Sequence, residues 1–328
     1  MSTRSLPGQG SGIGVLGCAD IAVRRALPAI QESPFRLVAV ASRSQEKAER
    51  VAGSFGCEPV VGYERLLERP DIAAVYIPLP NSEHAEWARR ALNSGKHVLI
   101  EKPAVTTAGA ARDLVSLAED LGLLVMENFA FLQHPQHDQA RSLVNSGCIG
   151  EIRSYSGTFG IPPTDRQGIR YQPDLCGGSL WELGCYPVRA AQEYLESPVQ
   201  ILGAGLDFDP KLGVDIAGAA LLRDGRGVTA HCSFGLSHSY RSTYDIWGSE
   251  GRLVLDWAFT PSRDARPVLR LQQKDRETKY VIAASDQFVG VFNAFSDAIG
   301  DPRSRPAHHR AMVRQAEILT QIRSHALA

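Results

Sequence analysis

The feature that most constrains the fold is an alternation of short apolar runs with helical patterns between residues 13 and 128. Such alternation is typical of βαβ units, in which parallel strands form one sheet with helices on its faces. Three of the helical patterns are followed by glycine, which favours the left-handed conformation that ends a helix. The predicted strands are IGVLG, RLVAVAS, IAAVYIP, HVLIEKP and LLVMEN, and the glycines are Gly56, Gly95 and Gly122. We therefore predict an α/β fold whose first domain, residues 1–128, holds a doubly wound parallel sheet of the Rossmann type.

Composition narrows the function classes. The 328 residues are 44% hydrophobic and 22% charged, which is globular composition and sufficient length for two domains. The 35 basic and 36 acidic residues nearly cancel, so we expect a small-molecule substrate and neither nucleic acid nor a membrane as partner. No stretch approaches the ~20 apolar residues of a membrane span, and the N-terminal MSTRSLPGQGSG lacks the apolar core of a secretion signal. The six scattered cysteines lack zinc-ligand spacing and fit reduced thiols in the cytoplasm.

A candidate nucleotide-binding turn follows the first predicted strand. In GCADIA, Gly17, Ala19 and Ala22 stand where dinucleotide-binding turns have G-x-G-x-x-G. Alanine at position 19 still permits a pyrophosphate to approach if its φ is negative, and Ala22 is small enough for close packing of helix on strand. Asp20 and Ile21 complete this candidate cofactor-binding turn. The degenerate motif alone leaves an ordinary strand, turn and helix open.

Hydroxyl and basic side chains follow the second predicted strand. An NAD enzyme usually carries Asp or Glu here, because a carboxylate bonds both ribose hydroxyls and repels a 2′-phosphate. The sequence instead reads Ser42-Arg43-Ser44, with Lys47 one turn further on. Ser42 can donate a hydrogen bond, while Arg43 and Lys47 can bind a phosphate. This pattern favours NADP at the end of such a strand, although alone it is typical of the solvated start of a helix.

Apolar and polar candidate residues also follow the third named strand. Leu79, Asn81 and His84 lie where the chain leaves the strand and opens the next helix. On residue chemistry alone, the simpler interpretation is that Asn81 or Ser82 caps this helix and that His84 is a surface residue.

The fourth named strand ends in Glu101-Lys102-Pro103. The proline keeps Lys102 out of helical geometry and allows a cis peptide bond, so the ammonium group is aimed from the mouth of the sheet. A surface lysine with its ammonium in water is the alternative.

A glycine-rich turn, CGGS, precedes a predicted helix, SLWELGCYPVRAAQEYLES, over residues 179–197. Glu182 and Tyr186 are four positions apart and would share a face of an α-helix, whereas Trp181 is five positions before Tyr186. Tyr186 as an ordinary core residue stays open.

Taken together, GCADIA, PLPNSEHAEWARRALNSGKHVLIEKP and GGSLWELGCYPVRA resemble the glucose-fructose oxidoreductase, inositol dehydrogenase and MocA-like (Gfo/Idh/MocA) family. The resemblance covers almost the whole chain. Within the family, the chain resembles most the actinomycete sugar 3-ketoreductases, which act on TDP-linked deoxyhexoses in antibiotic biosynthesis.

The resemblance implies roles for individual residues. It implies that Lys102 is the active-site lysine and that Tyr186 takes the place of a catalytic His or Tyr. It also implies that Asn81, His84 and Glu101 lie along the cofactor and that Ala19 is a tolerated variant. Leu79 and Asn128 join the cofactor-binding candidates. Two departures from the family pattern are Cys176, where a third glycine is common, and Glu182, where Asp is frequent.

The second predicted domain, residues 129–328, is an α+β domain for substrate binding and oligomerisation. After one helix its sequence shows period-2 patterns, which indicate an open, mostly antiparallel sheet. The last segments are helical, and the C-terminal helix is expected to pack back on the first domain. Because the open face must be covered, the resemblance implies a homo-oligomer, either a dimer or a tetramer. The predicted strands are SYSGTFGI, QILGAGLDF, VDIAGAALL, GVTAHCSFGLS, STYDIWGS, RLVLDWAF and VLRLQQ.

Two histidine pairs invite a metal interpretation, which we do not favour. His308 and His309 are adjacent and point to different sides of a helix, so we expect both to be exposed to solvent. His134 and His137 could share a face, but no nearby cysteine or carboxylate completes a ligand set. We therefore expect no metal.

The predicted activity is reduction of the C-3 keto group of a TDP-linked keto-deoxyhexose by NADPH. Tyr186 would donate the proton, and a neighbouring Lys102 ammonium would bring its pKa down from the ordinary value of about 10 and stabilise the developing alkoxide. A sugar or cyclitol dehydrogenase, or a non-catalytic NADP-binding regulator, stays open. Candidate groups for the nucleotide-sugar are Arg166, Arg170, Tyr171, Trp181, Glu182, Tyr240 and Arg241. For the arginines and tyrosines, ordinary loop and sheet surface is an equal alternative.

Overall fold

The computed structural model describes residues 10–328, and the chain divides into two compact units. The first unit comprises Met1–Ala130 with Phe288–Ala316, and the second comprises Phe131–Gln287 with Glu317–Ala328. Most of the N-terminal segment interpreted above, residues 1–9, lies outside the described residues. No helix in the described chain is both long and apolar enough to cross a membrane. The cytoplasmic location stays a prediction.

A parallel six-stranded sheet forms the centre of the first unit. Its strand order is β3-β2-β1-β4-β5-β6, so the chain runs outward from β1 in one direction and then in the other. This is the doubly wound arrangement that the alternation predicted, and it places the carboxyl ends of all six strands at one edge. The strands are β1 (Gly12–Leu16), β2 (Arg36–Ser42), β3 (Glu58–Val61), β4 (Ala74–Ile77), β5 (His97–Glu101) and β6 (Val125–Asn128).

Helices cover both faces of this sheet. Val75 and Ile77 of β4 belong to one apolar core and Tyr76 to the other, as alternation along a strand requires. The three predicted glycines, Gly56, Gly95 and Gly122, have positive φ just past helix ends. The helices are α1 (Leu27–Gln31), α2 (Gln45–Phe55), α3 (Tyr63–Leu67), α4 (Asn81–Asn93) and α5 (Ala108–Asp120).

The sequence analysis missed β3 and α3. Strand β3 is an edge strand of four residues, EPVV, with mostly exposed or half-exposed side chains. A proline and a carboxylate in so short a run give no apolar alternation, and both are tolerated because the strand lies at the edge.

An eight-stranded sheet forms the centre of the second unit. Its order is β14-β13-β12-β11-β7-β10-β9-β8, and every pair is antiparallel except β7 with β10. The predicted open, mostly antiparallel sheet is thus confirmed, with β14 added. The elements are α6 (Pro135–Asn145), β7 (Ile152–Gly160), α7 (Cys185–Ala191), β8 (Val199–Asp209), β9 (Val214–Asp224), β10 (Thr229–Gly235), β11 (Arg241–Gly248), β12 (Arg252–Asp256), β13 (Val268–Gln273) and β14 (Arg276–Val281).

The two faces of this sheet differ in chemistry. One face carries large buried side chains, among them Tyr155, Phe159 and Tyr244. Residues between them on the same strands, such as Ser156 and Thr158, point to the other side. We call this other side the open face.

The helix predicted over residues 179–197 is wrong in its winding and its end. Leu180–Gly184 is a π-helical turn, and only Cys185–Ala191 is α-helical. Glu182 therefore lies in a π-helical turn, with i to i+5 hydrogen bonds, and Tyr186 lies in the α-helix that follows it.

Two helices close the chain, α8 (Gln287–Gly300) and α9 (Arg305–Leu327). Phe292 and Phe295 of α8 belong to one apolar core of the first unit, and Met312 of α9 belongs to the other. The expected exposure of His309 is wrong, because its ring is buried and faces the N–H of Val125 at 3.4 Å. No group of three or more metal-ligating side chains clusters anywhere within residues 10–328.

Candidate active site

The glycine turn after β1 joins three strand ends of the first unit. Gly17 has φ +114°, which favours glycine, and its N–H donates to the carbonyl of Ala41 at 2.9 Å. A Cβ at Gly17 would lie 2.8 Å from Cδ2 of Leu79, so this side chain, two residues after β4, packs directly on the turn. The turn and Leu79, both candidates for cofactor binding, are therefore in contact.

Ala19 meets the condition set for it. The non-glycine residues with positive φ in the described chain are Cys176, Trp257 and Lys274, so Ala19 has negative φ. Ala22 is fully buried, which permits close helix packing. The helix opens as a π-helical turn, Ala22–Ala26, before α1.

The residues after β2 form an ordered turn. The Ser42 hydroxyl accepts from the N–H of Ser44 at 3.2 Å, and Ser44 in turn caps α2 by accepting from the N–H of Lys47. Arg43 and the Lys47 side chain are exposed. Burial raises the pKa of the Cys18 thiol in the glycine turn, and the positive charge of the Lys47 ammonium acts against that shift. Basic groups thus stand beside the glycine turn.

The Glu101 carboxylate, at the end of β5, is held from one side. Its Oε1 accepts from the Tyr76 hydroxyl and from Nδ2 of Asn128, both at 2.6 Å. Burial raises the pKa of Glu101, and these two bonds together with the adjacent Lys102 charge act in the opposite direction. Oδ1 of Asn128 is buried without a hydrogen-bond partner in the described chain.

His84 is wholly buried, so the alternative of a surface residue is wrong. Its two ring nitrogens face the carbonyls of Leu79 and Pro103, each at 2.8 Å. The cap alternative is also wrong, because Pro80 is the N-cap of α4 and no side chain caps it. His84 therefore ties the segment after β4 to the Glu101-Lys102-Pro103 turn.

Lys102 leaves β5 half-buried, and the Lys102-Pro103 peptide bond is cis. The following turn is fixed by the N–H of Ala104, which donates to Oε1 of Glu127 at 2.8 Å. The backbone on both sides of the lysine is therefore held by buried or half-buried partners.

In the second unit, one carboxylate organises the glycine-rich turn. Asp215 on β9 accepts from the Ser179 hydroxyl at 2.6 Å and from the N–H of Leu180 at 2.7 Å. A Cβ at Gly178, which has φ +119°, would lie 2.3 Å from Oδ1 of Asp215. Burial raises the pKa of Asp215, and the two bonds oppose that shift. Cys176 keeps a left-handed φ of +56°, which explains why glycine suits that position.

Tyr186 on α7 is half-buried in a cradle of three phenylalanines. Its ring centroid lies 5.0 Å from Phe159, 5.7 Å from Phe259 and 5.8 Å from Phe131. Such aromatic packing fixes the ring direction.

The remaining substrate candidates fall into two groups. Arg170 pairs with the buried Glu182 at 3.4 Å, so these two are brought together. Tyr171 and Trp181 are buried instead, and the Tyr171 hydroxyl donates to the carbonyl of Leu236 at 3.2 Å. Ordinary surface is therefore the wrong description of Tyr171.

Three candidates stand nearer the surface. Arg166 is exposed and pairs with Asp209 at 3.5 Å. Arg241 donates through Nε to Thr243, on the open face, whereas Tyr186 packs against the opposite face. Tyr240 is exposed, and its ring lies 5.3 Å from that of Trp257 at a tilt of 38°.

The sequence analysis missed two residues that hold these groups, Tyr76 and Asp215. Each lies inside an apolar strand pattern, where a tyrosine or a single carboxylate signals only a strand. Neither pattern singles these residues out, because the partners that a buried polar group needs are brought to it only by the tertiary structure.

Two family models match the chain. The oxidoreductase family with an NAD-binding Rossmann fold matches residues 11–129, and the GFO/IDH/MocA C-terminal domain matches residues 137–254. The two matches together span most of the chain.

Curated relatives match nearly the full length. A dTDP-3,4-didehydro-2,6-dideoxy-alpha-D-glucose 3-reductase from Saccharopolyspora spinosa is 45% identical over 317 residues, covering 94% of this chain and 96% of the relative. The protein of the same name from Actinomadura kijaniata is 44% identical over 315 residues, covering 96% of this chain and 95% of the relative.

A solved structure agrees closely in fold. The crystal structure of KijD10, a 3-ketoreductase from Actinomadura kijaniata in complex with NADP and TDP-benzene, superposes with a TM-score of 0.93 at 44% identity. The match covers 96% of this chain and 98% of that one. Further structures of KijD10 carry a lysine replaced by alanine and a tyrosine replaced by phenylalanine.

Proposed function

The chain belongs to the GFO/IDH/MocA oxidoreductase family, and from this we propose that it uses NADPH to reduce the C-3 keto group of a TDP-linked keto-deoxyhexose. The observation that carries the proposal is the near-complete overlap with 3-reductases at 45% identity, covering 94% of this chain and 96% of the relative. Both the cofactor half and the substrate half of the chain take part in that overlap.

The first unit fits a dinucleotide with a 2′-phosphate. Its glycine turn has small residues where a pyrophosphate must approach, and the orphan Oδ1 of Asn128 at the end of β6 can accept a hydrogen bond from a ligand. After β2, Arg43 and Lys47 offer positive charge and the Ser42-Arg43-Ser44-Gln45 stretch carries no carboxylate. NADPH, when bound, supplies the hydride.

Lys102 and Tyr186 are the proposed catalytic residues. The Tyr186 hydroxyl donates the proton that neutralises the developing alkoxide, and the Lys102 ammonium stabilises negative charge during that transfer. Glu101 and His84 act as positioning residues, since their contacts hold the backbone on either side of Lys102.

The direct test mixes purified protein with NADPH and a TDP-3-keto-6-deoxyhexose generated in place. Absorbance of the reduced nicotinamide should fall while a product with a new 3-hydroxyl forms. Because a positioned general acid contributes about 10²–10⁴-fold, Tyr186→Phe and Lys102→Ala should each slow hydride transfer by about 100-fold or more.

Two results would redirect the proposal. Unchanged transfer rates in both variants would remove Lys102 and Tyr186 from the mechanism. Tight NADPH binding with no turnover across a panel of keto sugars would favour a cofactor-binding regulator.

We further propose that a second copy of the chain covers the open face. Along one row of this face the side chains are small, with Thr158, Ser233, Ala219 and Gly205 in adjacent register across four strands. Small side chains let another sheet approach closely, and Leu221 and Trp247 on the same face are exposed. The supported occupant is therefore a second copy, in a dimer or a tetramer.

A further inference from the structure

We infer that Tyr240 and Trp257 form a stacking platform for the thymine base of the TDP-linked substrate. This inference deepens the proposed function and rests on it. The two rings lie with centroids 5.3 Å apart and planes tilted by 38°. We call these two side chains the platform.

Both rings are exposed to solvent, although burying them would stabilise the fold. Tyr240 is 43% exposed and Trp257 is 55% exposed. An aromatic side chain gains stability by burying its faces, so two adjacent exposed rings indicate a surface suited to a planar ligand. Bases of every kind stack on such rings, because each has a π-face.

The backbone at Trp257 is strained. Its φ is +57°, a left-handed conformation that side chains other than those of Gly, Asn and Asp rarely adopt. Strain of this kind persists only where surrounding contacts impose it, and it is concentrated at ligand sites. The conformation turns the indole outward directly after β12.

Hydrogen bonds on both sides hold the platform in place. The carbonyl of Trp257 accepts from Nε2 of Gln136 at 3.3 Å, and the N–H of Ala258 donates to the carbonyl of Ser242 at 2.8 Å. The hydroxyls of Tyr240 and Thr260 are hydrogen-bonded at 2.7 Å. A platform fixed in this way loses little conformational entropy when a base stacks on it.

Strand register places the platform at the end of the sheet where Tyr186 lies. Ser242 pairs with Phe159, whose ring contacts Tyr186, and Tyr240 is two residues before Ser242. Trp257 is two residues before Phe259, whose ring also contacts Tyr186. Two residues span about 7 Å of extended chain, so both rings are tethered near the proposed proton donor. In a TDP-sugar the base and the reacting sugar lie on either side of the diphosphate. A base subsite at the platform and a sugar subsite at Tyr186 would therefore be neighbours.

The test measures binding of TDP to the full-length protein by calorimetry. The principal variant is Trp257→Gly, because glycine removes the indole and also relieves the left-handed strain, so its melting temperature should be at least that of the wild type. Since base stacking is worth about tenfold to a hundredfold in affinity, the Kd for TDP should rise by that factor. Tyr240→Ala should act in the same direction, and Trp257→Phe should recover most of the affinity.

Two controls make the result specific. Methyl diphosphate, which has no base, should bind wild type and Trp257→Gly equally. Leu121→Ala removes an exposed apolar side chain of the first unit, directly after α5, and should leave TDP binding unchanged.

Opposing results have distinct meanings. An unchanged Kd for TDP in Trp257→Gly, with keto-sugar reduction intact in the wild type, overturns the platform and leaves the proposed function standing. Failure of the wild type both to bind TDP and to reduce the keto sugar overturns the proposed function and the platform with it.

Discussion

At the scale of single residues, the Glu101 carboxylate depends on its neighbours. Its Oε1 takes two bonds of 2.6 Å, from Tyr76 and Asn128, while its Oε2 accepts from the N–H of Lys102 at 3.3 Å. Burial raises the pKa of Glu101, so each donor favours the ionised form against that cost. The residue next to the proposed catalytic lysine is thus held by a network that extends back to β4.

Tyr76→Phe should destabilise the protein by about 1–3 kcal/mol at neutral pH, because a buried carboxylate loses one of its donors. The phenyl ring keeps its edge contact with Phe292, so packing is conserved. Urea unfolding followed by circular dichroism measures the change. Tyr240→Phe, which removes an exposed hydroxyl, is the matched control and should shift stability by no more than about 0.5 kcal/mol. Equal midpoints for Tyr76→Phe and wild type would mean that the bond to Glu101 contributes nothing.

Arg43→Ala and Lys47→Ala should each raise the KM for NADPH by about tenfold and leave the KM for NADH unchanged. The reason is that a charge-assisted bond to a 2′-phosphate is worth about 1.5–3 kcal/mol and NADH has no such phosphate. Steady-state kinetics with both cofactors measures the discrimination.

Arg153→Ala provides the control, because Arg153 is an exposed arginine of the second unit that pairs with Glu151. It should change neither KM. A parallel rise for NADH and NADPH in the Arg43 variant would assign that side chain to general cofactor binding rather than to the 2′-phosphate.

At the scale of elements, α6 is joined to the large sheet by a buried polar chain. Nδ1 of His137 lies 2.9 Å from the Tyr244 hydroxyl, which lies 3.2 Å from the Tyr194 hydroxyl. Nε2 of His137 lies 2.9 Å from the carbonyl of Ala258. A neutral ring can donate to that carbonyl and accept from Tyr244, so burial without charge is compatible with every contact.

The stability of the protein should therefore fall as pH drops below about 6.5. Burial lowers the pKa of His137 to about 3, with His134 and Arg141 acting in the same direction. Between that value and the unfolded value of about 6.5, the unfolded chain binds more protons, so acid favours unfolding. From pH 7 to pH 5 the contribution of His137 to this loss should be about 2 kcal/mol.

His137→Gln should make the pH dependence shallower by that amount, even if it lowers stability at pH 7. His325→Gln, at an exposed position on α9, should keep the wild-type slope. Urea midpoints at pH 5, 6 and 7 provide the comparison. Identical slopes for His137→Gln and wild type would mean that His137 is not buried in the neutral form.

The elements that sequence reasoning predicted correctly carry a local signal. Helices α2, α4 and α5 end before glycines, and the strands between them are continuous apolar runs. By contrast, β3 and β14 are polar edge strands, whose pairing comes from a neighbour rather than from their own pattern. The π-helical turn Leu180–Gly184 has no local signal either, and its Gly184 lies against the ring of Phe234.

At the scale of the whole molecule, the proposed assembly through the open face of the large sheet makes a direct prediction. Leu221→Lys with Trp247→Arg should shift a dimer or tetramer toward monomers, because charges would be buried between copies. The concentration of half-dissociation should rise by at least about 100-fold, and light scattering after size exclusion measures it.

Leu121→Lys is the control, because Leu121 is an exposed leucine of the first unit, directly after α5. It should leave the mass unchanged. A wild-type protein that is monomeric at high micromolar concentration would contradict the proposed assembly, and an unchanged mass in the double variant would place the interface elsewhere.

The sequence by itself determined the doubly wound sheet and the strand ends at which Gly17, Ser42 and Lys102 lie. The reason is that hydrophobic periodicity, and the glycines and prolines that end elements, are local properties. Only the tertiary structure decided which polar groups are buried and what holds them. Tyr76 binds Glu101 across 25 positions, Ser179 binds Asp215 across 36, and His309 meets Val125 across 184. Such partners come together through sheet register and helix docking, which short-range patterns do not encode. The buried positions of His84 and His309 differ from expectation for that reason.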